Sequence, residues 1–206
     1  GRDGNWSDEA RNRAKHAQQI LDNCAHFDSI KQAVEDCSVV IGTSGKREIG
    51  DKISFRHFVT PEEIPKRLQG VEGKVAFVFG PEDIGLTNEQ LHECDLLLTI
   101  PTWEGYPILN LSHAVSIICY SWYSNISDKH SIERQKSRLL DPELRRILRS
   151  EVNRLVQNMS TKEHKKQGIE ETMIRVLMRG LPKDDEIHRL LGVISQAADS
   201  FDSSDQ

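Results

Sequence analysis

The sequence predicts an open, parallel α/β sheet followed by a helical extension. Three short, continuously apolar segments, SVVIGTS (38–44), KVAFVFG (74–80) and DLLLTIP (95–101), are separated by stretches with helical spacing. Strands that are apolar on both faces belong to sheets covered by helices on both sides. Beyond residue 125 strand patterns stop, and three long helical patterns follow.

Each element has its own signal. In SDEARNRAKHAQQILDN (7–23), Ser7 is an N-cap candidate, Asp8 and Glu9 sit in the first turn, and Ala10, Ala14, Ala17 and Leu21 share one helical face. SIKQAVED (29–36) reads as a short helix before the first strand. GKREIGDKISFRH (45–57) is a polar loop. TPEEIPKRL (60–68) begins with an N-cap threonine and a proline at the first helical position. After the second strand, PEDIGLTNEQLHEC (81–94) is a loop and then a helix, with Thr87 and Gln90 at capping-box spacing. After the third, IPTWEGYP (100–107) is a loop and LNLSHAVSIICYSWY (109–123) a helix. SNISDKHS (124–131) is polar. The helices of the extension are DPELRRILRSEVNRLVQNM (141–159), with Asp141 as N-cap and Pro142 at its first position, TKEHKKQGIEETMIRVLMRG (161–180) and DDEIHRLLGVISQAADSF (184–201).

Composition excludes some classes. The 206 residues suffice for one domain plus an appendage. No apolar run reaches the length of a membrane span. The polar N-terminus, GRDGNWSDEARNR, has no apolar core of a signal peptide, so a cytoplasmic location is expected. Cys24, Cys37, Cys94 and Cys119 form no CxxC pair and are expected as reduced, mostly buried thiols, with no metal site. The net charge of −5 does not mark a nucleic-acid binder, yet residues 134–166 hold ten Lys and Arg against four acids. That stretch is either a solvated helix face or a set of phosphate contacts.

In open α/β sheets ligands bind beyond the carboxyl ends of the strands. Three loops leave those ends: GTSGKRE (42–48), GPEDIGL (80–86) and PTWEGYPILN (101–110). None carries a GxGxxG or Walker A pattern, so dinucleotide and P-loop sites are not indicated. Singly, their residues have plain explanations. Gly80 and Gly85 permit tight turns, Glu82 and Asp83 are loop acids, and Asn110 is a helix cap. His113 is a surface or interface residue, and Trp103 and Tyr106 lid a core.

Together they carry more. FVFGPEDIGLTNEQL (77–91) followed by YPILNLSHAVSIICY (106–120) resembles the SpoU branch of the SPOUT RNA 2′-O-methyltransferases, and VVIGTSGKRE (39–48) resembles the GTS-x-R loop of the TrmJ-type tRNA enzymes. The resemblance covers residues 8–125 and, more loosely, the tail. It implies a SPOUT-type sheet with a C-terminal trefoil knot, an exception to un-knotted topology. It divides the chain into a methyltransferase domain (1–125), a linker (126–135) and a helical RNA-binding extension (136–206). It implies S-adenosylmethionine as cofactor, held by Thr43, Ser44 and Gly45, by Gly80 and Glu82, and by Ile100, Leu109, Asn110 and Leu111. It implies a homodimer whose interface includes the Asn110 helix. The reaction is methyl transfer to a ribose 2′-OH of tRNA, expected at a cytidine or uridine, nucleotide 32 of the anticodon loop, without a metal. Asn110 is the catalytic candidate. In the extension, Arg145, Arg146, Arg149, Lys162, Lys165 and Lys166 are the RNA-binding candidates.

The sequence departs from the family at two places. The family's N-x-G-x-x-x-R motif, whose arginine assists at the 2′-OH or its neighbouring phosphate, is absent; Arg11 and Arg13 do not match it. Losing a strand would leave backbone groups unpaired, so the expectation is a chain lacking about forty N-terminal residues rather than an inactive relative. Second, many relatives carry a serine where this chain has Ile108. The alternatives are a non-catalytic RNA-binding protein, 2′-O-methylation of rRNA, and a nucleotide-binding α/β enzyme of another class.

Overall fold

The computed structural model describes residues 6–45, 58–69, 71, 73–106, 108–127 and 141–202. The chain divides into two compact units, Gly1–Glu35 and Asp36–Gln206.

The first unit is helical. Ser7 caps α1 (Asp8–Ala14) by accepting a hydrogen bond from the Ala10 N–H. The single helix expected over 7–23 is interrupted: a 3₁₀ turn, Lys15–Ala17, separates α1 from α2 (Gln18–Asp22), and Lys15 has φ 50°. The face expected to hold the helix together is mostly alanine, which gains little from burial. Trp6 instead ties the ends, its indole N–H donating to the Leu21 carbonyl at 3.0 Å. Ser29 caps α3 (Ile30–Ala33).

The second unit is built on a four-stranded, wholly parallel sheet. Its strands are β1 (Cys37–Thr43), β2 (Phe58–Val59), β3 (Lys74–Val78) and β4 (Leu96–Leu98), in spatial order β2-β4-β1-β3. The three apolar segments are strands, as expected. β2 is an addition: two residues are too few for any period to show in the sequence. Residues 46–57, most of the expected polar loop, lie outside the described residues. The helix expected from Thr60 starts later, as α4 (Ile64–Arg67), after a turn in which the Thr60 N–H donates to the Glu63 carboxylate at 2.7 Å.

α5 (Asn88–His92) starts at the expected capping box of Thr87 and Gln90. α6 (Leu111–Ser127) packs on the sheet through Ile118 and through Trp122, whose ring meets Phe77 edge-on at 5.6 Å. The C-terminal helices are α7 (Pro142–Asn158), α8 (Glu163–Arg179) and α9 (Asp184–Asp202). They are not an appendage in packing terms. One apolar core runs from Val39, Ile41 and Leu98 of the sheet to Leu148 and Val152 of α7, Met178 of α8 and Ile187 and Ile194 of α9.

A buried charge cluster fixes that junction. The Asp95 carboxylate, with no side-chain exposure, accepts from the Val40 N–H (2.9 Å), from Arg145 Nε (2.7 Å) and from an Arg149 terminal N–H (2.9 Å). The same guanidinium groups also donate to the carbonyls of His92 and Glu93. His92 further pairs with Glu171 of α8 at 2.8 Å. Burying a charge is costly unless it is paired and hydrogen-bonded, and the Asp95 carboxylate meets both conditions.

Cys37 and Cys94 are buried, whereas Cys24 and Cys119 are exposed, and all four are free. The expectation of mostly buried thiols therefore holds for two of them. Burial, with Asp95 adjacent, pushes the Cys94 thiol up to about 12. No described helix is long and apolar enough to cross a membrane.

Candidate cofactor and RNA site

Because every strand points the same way, the loops after β1, β3 and β4 leave one edge of the sheet. They enclose a cavity of about 360 Å³, within the range of small-molecule sites.

The first wall is Thr43, Ser44 and Gly45. Thr43 Oγ1 donates to the Val78 carbonyl at 3.0 Å, and the Ser44 N–H to the Leu98 carbonyl at 3.0 Å, so this loop is stitched to both neighbouring strands. Behind it, Gly42 rests on the Cys94 side chain; a Cβ there would lie 2.7 Å from the sulfur.

The second wall is the turn from Phe79 to Leu86, with Asn88 and Leu91 of α5 beside it. The turn doubles back so tightly that a Cβ on Gly80 would lie 2.1 Å from the carbonyl carbon of Gly85 and 2.3 Å from the Leu86 nitrogen. Gly85 itself has φ +71° and donates its N–H to the Pro81 carbonyl at 2.9 Å. Both glycines are therefore required, Gly80 for space and Gly85 for conformation.

The third wall is Ile100, Thr102, Ile108, Leu109 and Leu111, with Ala114 and Ile118 of α6 as floor. Eight of the nine cofactor-site candidates, Thr43, Ser44, Gly45, Gly80, Glu82, Ile100, Leu109 and Leu111, thus meet on one cavity. The ninth does not. Asn110 is exposed, and its Oδ1 accepts from the Ser112 N–H (3.0 Å) and the Ser112 hydroxyl (2.7 Å), while its carbonyl accepts the first helical bond, from Ala114. It is the N-cap of α6. Its side chain is spent on the helix, whereas its neighbours on either side form the wall. Ile108, half exposed, does line the cavity.

The sequence reading missed Asp83, Asn88 and Leu91 as wall residues, although the capping box at Thr87 already placed the start of α5 against this loop. It also treated Ile108 only as a lost serine. The charged side chains on the cavity are Glu82 and Asp83; no Lys, Arg or His lines it among the described residues. Such a site suits a cationic or neutral ligand with hydroxyls to bind.

The RNA-binding candidates divide. Arg145 and Arg149 are corrections: they are held by Asp95 and backbone carbonyls, and Arg145 is 7% exposed. Guanidinium groups committed to a buried carboxylate are not offered to phosphates. Lys166 is also engaged, donating to the Gln157 carbonyl at 2.9 Å and pairing with Glu163 at 3.1 Å. Arg146 pairs with Glu143 on the surface, and Lys162 and Lys165 are exposed. Arg134, Lys136 and Arg138 of the basic stretch lie outside the described residues. Arg154 joins α7 to α9 through Asp199 (2.6 Å) and Ser195 (2.9 Å), and with Ser195 it holds the Glu151 carboxyl below its ordinary range.

A parallel α/β sheet with a three-loop cavity beyond its strand ends defines an α/β protein with a cavity of small-molecule size. Comparison with known proteins narrows the class. Residues 2–120 match the SpoU rRNA Methylase family. The chain is 37% identical over 169 residues to the tRNA (cytidine-2′-O-)-methyltransferase TrmJ of Methanocaldococcus jannaschii, covering 78% of this chain and 70% of that protein. It is 30% identical over 183 residues to the tRNA (cytidine-2′-O-)-methyltransferase TrmJ of Sulfolobus acidocaldarius, covering 88% of this chain and 72% of that protein. The crystal structure of TrmJ from Z. mobilis ZM4 superposes with a TM-score of 0.69 at 24% identity, over 93% of this chain and 82% of that one, which shows the shared fold. The chain belongs to the SpoU methylase family.

Proposed function

We propose that this chain is an S-adenosylmethionine-dependent tRNA ribose 2′-O-methyltransferase acting at a cytidine or uridine, nucleotide 32 of the anticodon loop. One observation carries the reading furthest: the three family loops converge on one cavity whose charged side chains, among the described residues, are the acids Glu82 and Asp83. S-adenosylmethionine bears a sulfonium and an ammonium, and it supplies the methyl group as an electrophile. Glu82 and Asp83 complement its positive charge. Ile100, Leu109 and Leu111 offer apolar surface to a purine ring. Gly80 lets the turn close on Gly85 and Leu86, which holds this wall of the cavity in place.

A ribose hydroxyl is a weak nucleophile, so the catalytic gain comes largely from in-line placement of oxygen against the methyl carbon. The protein's part is to hold both partners and exclude water. Family membership and the parallel sheet support a trefoil knot formed by these loops. They also support the functional division into 1–125, 126–135 and 136–206, although sheet and extension share a core. On α6, Ile117, Tyr120 and Tyr123 are exposed at 39%, 74% and 73%. They recur at helical spacing on one face, as a covered apolar surface does, and this supports a homodimer through that helix. Location in the cytoplasm fits a tRNA substrate.

The decisive experiment is calorimetric titration with S-adenosylmethionine, followed by methyl transfer to a tRNA transcript. We expect binding that competes with S-adenosylhomocysteine but not with ATP or NAD, and an alkali-resistant phosphodiester in the product. Gly80→Ala is expected to lose both. Binding without transfer to any tRNA or rRNA would reduce the protein to a non-catalytic relative.

A further inference from the structure

The segment Trp103–Tyr106 takes no part in the cavity wall, yet it leaves and re-enters that wall. Thr102 on one side and Ile108 on the other both line the cavity. The Tyr106 N–H donates to the Trp103 carbonyl at 3.0 Å, closing a β-turn. A turn of this kind brings the Cα atoms of its first and fourth residues within about 7 Å. Here those residues are aromatic and lie in water: Trp103 is 78% exposed and Tyr106 is 72% exposed. Gly105 holds the indole in place. A Cβ at that position would lie 2.4 Å from the Trp103 ring, so the ring rests on bare backbone.

We propose that this turn is a platform on which the target nucleobase stacks. The proposal rests on the methyltransferase reading above. The ribose carbon bearing the reacting hydroxyl is bonded to the carbon that carries the base. A base delivered to this cavity therefore comes to rest at its mouth, where the turn presents its two rings. RNA-reading proteins splay a base out of its own stack and replace the lost stacking with aromatic side chains.

Glu104 decides what the platform takes. It is exposed, and it follows Trp103 directly in the turn. A carboxylate repels phosphates, and charged residues are depleted at the centre of protein–protein interfaces. A second copy of the chain is better matched by the uncharged face of α6 that carries Ile117, Tyr120 and Tyr123. Towards a nucleobase, an acid accepts from an exocyclic amine, as it does from N4 of cytosine. The platform therefore favours cytidine over uridine.

The test has a binding arm and a turnover arm, both on the full chain. Titration with a short cytidine-containing oligonucleotide, in the presence of S-adenosylhomocysteine, is expected to quench indole fluorescence, and Trp103→Phe to abolish that quench. Trp103→Ala and Tyr106→Ala are each expected to raise KM for tRNA about tenfold, with KM for S-adenosylmethionine unchanged and with Trp103→Phe and Tyr106→Phe close to wild type. Glu104→Gln is expected to narrow the cytidine-to-uridine ratio. The platform is overturned if the double alanine variant keeps the wild-type KM, if Trp103→Phe leaves the quench intact, or if the loss tracks a shift from dimer to monomer in sedimentation. Should the wild-type chain methylate no RNA, the enzymatic reading fails, and the fluorescence arm still decides for or against the platform.

Discussion

Asn110 shows how one side chain can be read in two ways and how the structure separates them. As a catalytic amide it needs an orientation into the cavity. As a cap it needs its oxygen on the first helical N–H groups, and that is where the oxygen is, on Ser112. The cap still matters for the site, because Leu109 and Leu111 flank it and both line the cavity. Losing an N-cap costs about 1 kcal/mol, and here the loss loosens a cavity wall as well as a helix end. Asn110→Ala is therefore expected to lower stability in urea by about that amount and to weaken S-adenosylmethionine binding. Asn110→Asp and Asn110→Ser also cap helices, and both are expected to retain turnover. If Asn110→Asp is as inactive as Asn110→Ala while unfolding like wild type, the amide has a chemical role that the cap does not explain.

At the scale of elements, the junction of α7 with the sheet hangs on Asp95. Removing one partner of a buried ion pair leaves the other charged and unpaired, at a cost of about 3–5 kcal/mol. Asp95→Ala is expected to show this loss in urea unfolding. Arg145→Lys is expected to recover only part of a wild-type transition, because Arg145 uses two nitrogens, one to Asp95 and one to the Glu93 carbonyl, and an ammonium cannot match that fork. An Asp95→Ala variant with wild-type stability would remove the cluster from the account of the fold. This cluster also marks where sequence reading stopped. The β1, β3 and β4 strands were legible because an apolar run between helices has one economical reading. The starts of α1, α5 and α7 were legible from their capping residues. The site was legible as three loops, since parallel strands place their carboxyl ends together. Arg145 and Arg149 were misread because charge was counted along the chain and not around the helix. They fall at the same helical spacing as Val152 and Val156, on the buried face, and a basic residue on that face calls for an acid elsewhere. Asp95 at the head of an apolar strand was that acid. Nothing local in the sequence links positions fifty residues apart, so the pairing emerges only from the packing.

For the whole molecule the question is how a chain of net charge −5 holds a polyanion. The basic balance of residues 134–166 overstates the footprint. Arg145 and Arg149 are spent on Asp95, Arg154 on Glu151 and Asp199, and Lys166 on Glu163 and a backbone carbonyl. Among the described members of that stretch, Arg146, Lys162 and Lys165 face solvent. Arg146 has a surface partner in Glu143, but exposed pairs contribute little, so its guanidinium can exchange that partner for a phosphate. Each phosphate neutralised steepens the fall of log affinity with log salt by about 0.7–0.9. Replacing Arg146, Lys162 and Lys165 together with alanine is expected to lower the salt slope of tRNA binding by about 2–3. Stability and S-adenosylmethionine affinity are expected to stay unchanged. Arg149→Met should behave in the opposite sense, lowering stability while leaving the salt slope as it is. A triple variant with a wild-type slope would move the electrostatic contact off α7 and α8 altogether. Among the described members of the stretch, the phosphate contacts then fall to the exposed side chains Arg146, Lys162 and Lys165, and a footprint that small gives a defined orientation on the tRNA.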